Sequence, residues 1–346
     1  MNETILKQEI EQQPEAIRSL ISRERKDVES LVAQLRGRFN HVVIAARGTS
    51  DNAARYAQYL LGAHNHLPVA LATPSLFTIY DQPPKMTDSL VIGISQSGRP
   101  PDIVAVLEEG RRQGQPTLAI TNQADSPLAK AAEYLIQLKV GQERSVAATK
   151  TYTATLAALA LLSGCLNGDA GALEALEKVP DYMQQVLQDV EGVHLGVQRY
   201  RYMDHCVVIG RGFNYATAFE ISLKIKELTQ IIAEPYSSAD FLHGPIAIIR
   251  EGFPVLMVAP SGPMLADLKD LIERIIEMHS ELVLISDVPE ILERAHLAMQ
   301  LPGGIPEWLS PMVAVLPGQV FSLALAQARG LDPDQPKGLH KVTETW

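Results

Sequence analysis

His41-Val-Val-Ile-Ala-Ala46, followed at once by Arg47-Gly-Thr-Ser50, is a short apolar run that ends in a glycine turn and opens into a helix-compatible stretch reaching Leu61. A run of this length, rich in β-branched residues and closed by turn residues, fits a buried strand. The order recurs at Ser89-Leu-Val-Ile-Gly-Ile94, which leads into Ser95-Gln-Ser-Gly98 and a helix over about 102–113. It recurs again at Pro116-Thr-Leu-Ala-Ile-Thr121, which ends in Asn122 before a helix start at Ser126-Pro127, and a fourth strand fits Tyr134-Leu-Ile-Gln-Leu138. Strands without polar alternation, separated by helices, are covered on both faces, and that is the mark of a parallel sheet.

The plan then repeats. Cys206-Val-Val-Ile-Gly210 leads into Arg211-Gly-Phe-Asn214 and a long helix, and Pro254-Val-Leu-Met-Val-Ala259 leads into Pro260-Ser-Gly262 and another. Glu281-Leu-Val-Leu-Ile285 and Ala298-Met-Gln-Leu301 supply later strands. Fifty residues separate the first Arg-Gly turn from its Ser-Gly turn (47 to 97), and fifty separate the second pair (211 to 261). Matching order and spacing predict two tandem α/β domains of doubly wound type, at 30–170 and 195–335. A helical segment over 1–29, broken at Pro14, would precede them. A helical linker over 171–194 would join them, and an irregular tail over 336–346 would follow.

The chain has 346 residues and a net charge of −10, from 40 acidic and 30 basic residues. That balance disfavours nucleic acid and anionic membrane as partners, so an anionic ligand has to be held by a local site. Cys165 and Cys206 both stand in apolar runs and read as buried thiols of a reducing compartment. No Cys/His grouping has metal-ligand spacing, so no metal is expected. The first fifteen residues lack an apolar signal region, and the longest apolar stretch, taken as 154–166, is too short to span a bilayer. These features predict a cytoplasmic protein.

Two loops in the first half leave the carboxyl ends of strands and begin helices. One carries Gly48, Thr49 and Ser50, the other Ser95, Gln96, Ser97 and Gly98. Helix N-termini with hydroxyls and glycines can cradle a phosphate without a large positive charge. An ordinary N-cap accounts for any one such serine. Two loops together favour a ligand, and so does the contrast with Phe213-Asn214 and Pro260-Ser261, where most hydroxyls are gone. Neither a Walker loop nor a dinucleotide fingerprint is present, so no nucleotide cofactor is expected.

In these motifs the chain resembles the SIS (sugar isomerase) family in its two-domain form. The likeness also rests on Ser145-Val-Ala-Ala-Thr-Lys150, Leu223-Lys-Ile-Lys-Glu227, Ala233-Glu-Pro-Tyr236, His243-Gly-Pro245 and Asp334-Gln-Pro336. It resembles the isomerase half of the glucosamine-6-phosphate synthases and the stand-alone glucosamine-6-phosphate deaminases. The resemblance implies a hexose or hexosamine 6-phosphate as ligand, with Thr49, Ser50, Ser95, Gln96, Ser97, Val146 and Ala147 around it. It further implies Glu227 as the base between carbons 1 and 2, and His243 as the ring opener, shared across a homodimer. Lys341 would form a Schiff base under a tail acting as a lid. Arg99-Pro100 and Ala148 depart from the synthase pattern, and Arg99 can replace a lost hydroxyl at the phosphate. Residue 2 is Asn2 rather than a nucleophilic cysteine, so no glutaminase activity is expected. The resulting expectation is conversion of glucosamine 6-phosphate to fructose 6-phosphate and ammonia. The alternatives are a deglycase or isomerase for another sugar phosphate and a sugar-phosphate-binding regulator.

The residues themselves carry part of this. Glu220, Lys224 and Glu227 fall at i, i+4 and i+7, on one face of a helix whose other positions are largely apolar. A solvated ion pair is the usual meaning of such a triplet, but a shielded carboxylate beside Lys224 suits a proton shuttle. His243 stands at a turn, and an imidazole can pass a proton near neutral pH. A lone lysine such as Lys341 is ordinarily a solvated charge, and only a closed site makes it a nucleophile. Glu234 and Lys150 match family positions without a separable role.

Overall fold

The computed structural model describes residues 3–341 and 345, so Asn2 and part of the tail over 336–346 lie outside the described residues. The chain packs as two units. One comprises Glu15–Glu143, Lys150–Lys178 and the tail from His340; the other comprises the stretch up to Pro14, Arg144–Thr149 and Val179–Leu339.

The first unit holds a five-stranded sheet of β1 (His41–Ala45), β2 (Val69–Leu71), β3 (Ser89–Ile94), β4 (Thr117–Thr121) and β5 (Tyr134–Gln137). Its order is β2-β1-β3-β4-β5 and every pairing is parallel. The second unit holds β6 (His205–Gly210), β7 (Ile232–Ser237), β8 (Pro254–Val258), β9 (Glu281–Ser286) and β10 (Leu297–Gln300), ordered β10-β9-β8-β6-β7 and again all parallel. Counted from its own first strand, each sheet runs 2-1-3-4-5, the flavodoxin-like doubly wound order. The repeat seen in the sequence is therefore a repeat of topology.

Each half contains one strand that apolar runs did not reveal, and it is the same one. β2 has three residues, none of them fully buried, and β7 carries Pro235 with Ile232 and Glu234 exposed. Both are edge strands, where one side faces solvent and proline is tolerated, so neither has a continuous apolar signature.

The core helix of the first unit is Lys150–Asn167, buried from Lys150 to Cys165 and packed on Thr49–Asn65. A helix buried all round has no amphipathic stripe, as its composition suggested. The reading of 154–166 as the longest apolar stretch is corrected by the second unit. There the helix Ser310–Ala328, with the turn before it, is the one described helix long and apolar enough to cross a membrane, and it is fully buried. Pro311, Pro317 and Gly318 had punctuated that run. Gly318 is where the helix meets Ile221 of the neighbouring Tyr215–Thr229, and a Cβ there would strike that side chain.

The N-terminal helical segment is broken next to Pro14, between Glu11 and Gln13, and the proline itself opens the second helix. It sits in the first turn of Gln13–Leu35, just after the short helix Ile5–Glu11, where a missing N–H costs little. Asp334, from the Asp-Gln-Pro motif, accepts the N–H groups of Ile5 and Leu6 at 2.8 and 2.9 Å and so caps that short helix. Burial pushes the Cys165 thiol up to about 11 and the Cys206 thiol up to about 12, so neither is poised to react.

Candidate functional site

β1 and β3 are paired in register, with Ala45 opposite Gly93, so the loops that follow them emerge side by side. This is the point where the strand order reverses, the usual ligand crevice of an open α/β sheet. Arg47 and Asp102 tie the two loops together, Nε to Oδ2 at 2.9 Å. Asp102 is completely buried and also accepts the N–H of Ile103 and the hydroxyl of Thr345, each at 2.9 Å. Gly48 takes a positive φ of 55° and begins the helix Thr49–Asn65 without a side-chain cap. Thr49 and Ser50 therefore belong to the first turn and are not N-caps.

In the second loop, Ser95 is buried and its hydroxyl accepts the N–H of Gly98 at 3.1 Å, closing the turn. Gly98 has φ 62°, and a side chain there would collide with Ser126. Beyond this turn lies a cavity of about 440 Å³. Gln96, Ser97 and Arg99 form one part of its lining, and Gln142, Glu143 and Lys341 another. Thr49, Ser50 and Ser95 do not line it.

Lys341 thus reaches the cavity, from a tail that folds with the first unit. Its Nζ lies 3.0 Å from Oε2 of Glu143, whose side chain is fully buried. Glu143 also accepts the N–H of Thr151 at 3.0 Å and its hydroxyl at 2.7 Å. Thr151 is in the first turn of Lys150–Asn167, so the carboxylate sits at a helix N-terminus, where negative charge is favoured. Lys150 is buried and donates to the carbonyl of Gln142 at 3.4 Å. Sequence reasoning did not select Glu143. The available signal was an acid two residues before the Ser145–Lys150 motif, a spacing that by itself carries no chemistry.

The second unit holds the titratable triplet. On the helix Tyr215–Thr229, Lys224 is 1% exposed and Glu220 fully buried. The Lys224 ammonium lies 2.5 Å from Glu227 and 3.4 Å from Glu220. A buried cation between two carboxylates needs both of them, and it fixes the Glu227 carboxylate, which is partly open to solvent. His243 is exposed, at the end of the short helix Ser238–Leu242, and its backbone N–H donates to Asp240. Among the described residues no hydrogen bond brings His243 to Glu227. Glu234 is exposed on β7. Val146 and Ala147 lie on Arg144–Thr149, a loop held by Glu9, whose carboxylate accepts the N–H groups of Arg144 and Ser145 at 2.5 and 3.2 Å.

The crevice of the second sheet keeps the frame and loses the cradle. Arg211 pairs with Asp267 at 2.8 Å, as Arg47 pairs with Asp102. Both donors of Ser261, the N–H and the hydroxyl, are taken by Asp287 at 2.6 and 2.5 Å. The Glu307 carboxylate packs against Gly262, 2.8 Å from where a Cβ would stand, and also faces Gly212. Burial raises the Glu307 carboxyl above its ordinary value.

Comparison with known proteins agrees with the duplicated architecture. The model of the SIS domain family matches residues 37–163 and 201–328. The glutamine–fructose-6-phosphate aminotransferase (isomerizing) of Methanothermobacter thermautotrophicus is 31% identical over 335 residues, which cover 96% of this chain and 56% of that protein. The chain thus spans about half the length of the curated relatives it matches. A Silicibacter pomeroyi structure described as a candidate phosphosugar isomerase is 33% identical, with a TM-score of 0.86 over 96% of this chain and all of that one. The glucosamine-6-phosphate deaminase of Thermotoga maritima superposes with a TM-score of 0.75 over 96% of this chain and all of its own, at 20% identity, which speaks to fold alone.

Proposed function

This chain belongs to the SIS domain family, and we propose that it is a phosphosugar isomerase acting on a hexose or hexosamine 6-phosphate. One observation carries the reading. Ser97, Gln96 and Arg99, on a loop suited to phosphate, share a cavity of about 440 Å³ with a lysine amine, a group that reacts with sugar carbonyls. The phosphate binds at the first-unit crevice, with Thr49, Ser50 and Ser95 shaping the loops. Glu227 carries a proton between carbons 1 and 2 of the open chain, and Lys224 orients it. Such a transfer through an enediol requires one positioned base. His243, exposed on its own chain, opens the ring in a second copy of the chain within a homodimer.

The 33% identical structure is a candidate phosphosugar isomerase and the deaminase is a likeness of fold only, which favours aldose–ketose interconversion as the general form of the reaction. Release of ammonia from glucosamine 6-phosphate is the narrower reading, favoured by Arg99-Pro100 and Ala148.

The test is NMR in deuterated water with fructose 6-phosphate and, separately, glucosamine 6-phosphate. Exchange of the carbon-1 or carbon-2 proton supports isomerisation, and ammonia from the amino sugar adds deamination. Glu227→Gln lowers exchange by about 10²–10⁴-fold if Glu227 is the base. Saturable binding with no exchange on any hexose 6-phosphate removes the enzymatic reading and leaves a binding module.

A further inference from the structure

An ammonium is not a nucleophile. Lysine ordinarily holds its proton up to a pH of about 10.4, so a lysine that attacks a carbonyl at neutral pH needs a nearby acceptor. Lys341 has one. Its Nζ is 3.0 Å from Glu143, whose side chain is fully buried. Two donors of Thr151 also hold Glu143, the N–H on Oε1 and the hydroxyl on the Oε2 that faces the lysine, so its position does not depend on the lysine alone. The tail has a second hold on the same unit, the hydroxyl of Thr345 on the buried Asp102 that also binds Arg47. Two buried carboxylates thus receive the tail, and one of them meets Lys341.

We propose that Glu143 is a positioning residue that docks Lys341 at the cavity wall and accepts its proton before the amine attacks the sugar carbonyl. This rests on the phosphosugar reading above. The ammonium N–H bond breaks and a carboxyl O–H forms, leaving a nitrogen lone pair. That pair bonds to the carbonyl carbon of an open-chain ketose 6-phosphate, and the carbonyl oxygen takes up a proton from the nitrogen. The proton on Glu143 then leaves with this hydroxyl as water. The balance is ammonium plus ketone to protonated imine plus water, with Glu143 returned as carboxylate. Arg99 and Asp125 also line this cavity, Lys150 stands behind Gln142, and His340 precedes the lysine in the chain.

The experiment is borohydride trapping of the full chain with fructose 6-phosphate, read by peptide mass spectrometry across pH 6–10. Wild type is expected to gain the reduced sugar phosphate at Lys341, with a rate nearly flat from about pH 7 to 9. Glu143→Gln is expected to trap at least tenfold more slowly at pH 7 and to recover as pH rises toward the lysine's own range. Glu143→Asp, which keeps the acceptor, restores the flat profile. A purely structural ion pair would change the amount of folded protein, seen in parallel thermal melts, without tilting the pH profile. Wild-type trapping that climbs about tenfold per pH unit overturns the proposal and needs no variant to show it. Equal trapping by folded Glu143→Gln at every pH also overturns it while sparing the role of Lys341. No adduct at Lys341 in wild type removes that role, and this inference with it.

Discussion

The two sheets share strand order and the Arg–Asp tie between their loops, yet the loops are used in opposite ways. In the first unit the crevice loops carry Thr49, Ser50 and Ser97, and a cavity opens beside Ser97. In the second, the Ser261 donors are spent on Asp287, and the Glu307 carboxylate fills the space between the glycines. The frame and the cradle are therefore separable. Arg47–Asp102 and Arg211–Asp267 hold loop geometry in both copies, whereas a hydroxyl-bearing loop opens on a cavity in the first copy and its counterpart is tied to Asp287 in the second. The second unit instead carries the Glu220–Lys224–Glu227 triplet, buried at Glu220 and Lys224 and partly open at Glu227.

Serine substitutions probe this contrast with the largest effect. Ser97→Ala is expected to weaken binding of a hexose 6-phosphate by about 10–100-fold, since a hydrogen bond to a charged group contributes about 1.5–3 kcal/mol. Ser261→Ala should leave affinity unchanged, because its hydroxyl is already bound to a carboxylate. Calorimetric titration of both decides the matter, and equal losses would break the asymmetry.

The ties are expected to differ in stability. Asp102 is completely buried and serves three donors, so Asp102→Ala should cost about 2–3 kcal/mol. The partners in the Arg211–Asp267 pair are 29% and 41% exposed, which limits Asp267→Ala to about 1 kcal/mol or less. Urea unfolding of the two variants measures both, and a larger loss at Asp267 would mean that the second crevice carries the greater strain.

Glu307 gives the smallest and most diagnostic effect. Burial lifts its carboxyl above the ordinary 4.5. The folded form therefore binds this proton more tightly than the unfolded chain does. The stabilisation is complete below the ordinary value and is lost as pH rises through the raised one. Glu307→Gln should accordingly raise Tm slightly at neutral pH, and the gain should vanish well below the ordinary value of 4.5, where the carboxyl is neutral in the folded and the unfolded chain. A Tm difference that is constant with pH would show that packing, not charge, governs this position.

Much of the frame was legible in the chain. Central strands announce themselves because burial on both faces demands unbroken apolar runs, as in Val42–Ala46 or Val255–Ala259. The glycine turns after them mark the ligand crevice because only certain backbones can leave a strand and enter a helix there. The edge strands β2 and β7 stayed hidden, since half-exposed residues leave no such run. The helix Ser310–Ala328 stayed hidden because prolines masked it.

The sequence by itself determined the duplicated α/β plan, the loops fit for phosphate and the triplet on one helical face, since each follows from spacing within a few tens of residues. Only the tertiary structure decided which polar groups are already engaged: Asp287 on Ser261, Glu307 over Gly262, Glu143 under Lys341. Those partners lie between 26 and 198 residues apart along the chain. Nothing in local order encodes such meetings. They arise when folding brings distant segments together and removes water from between them, and that is when a charge must find its counterpart.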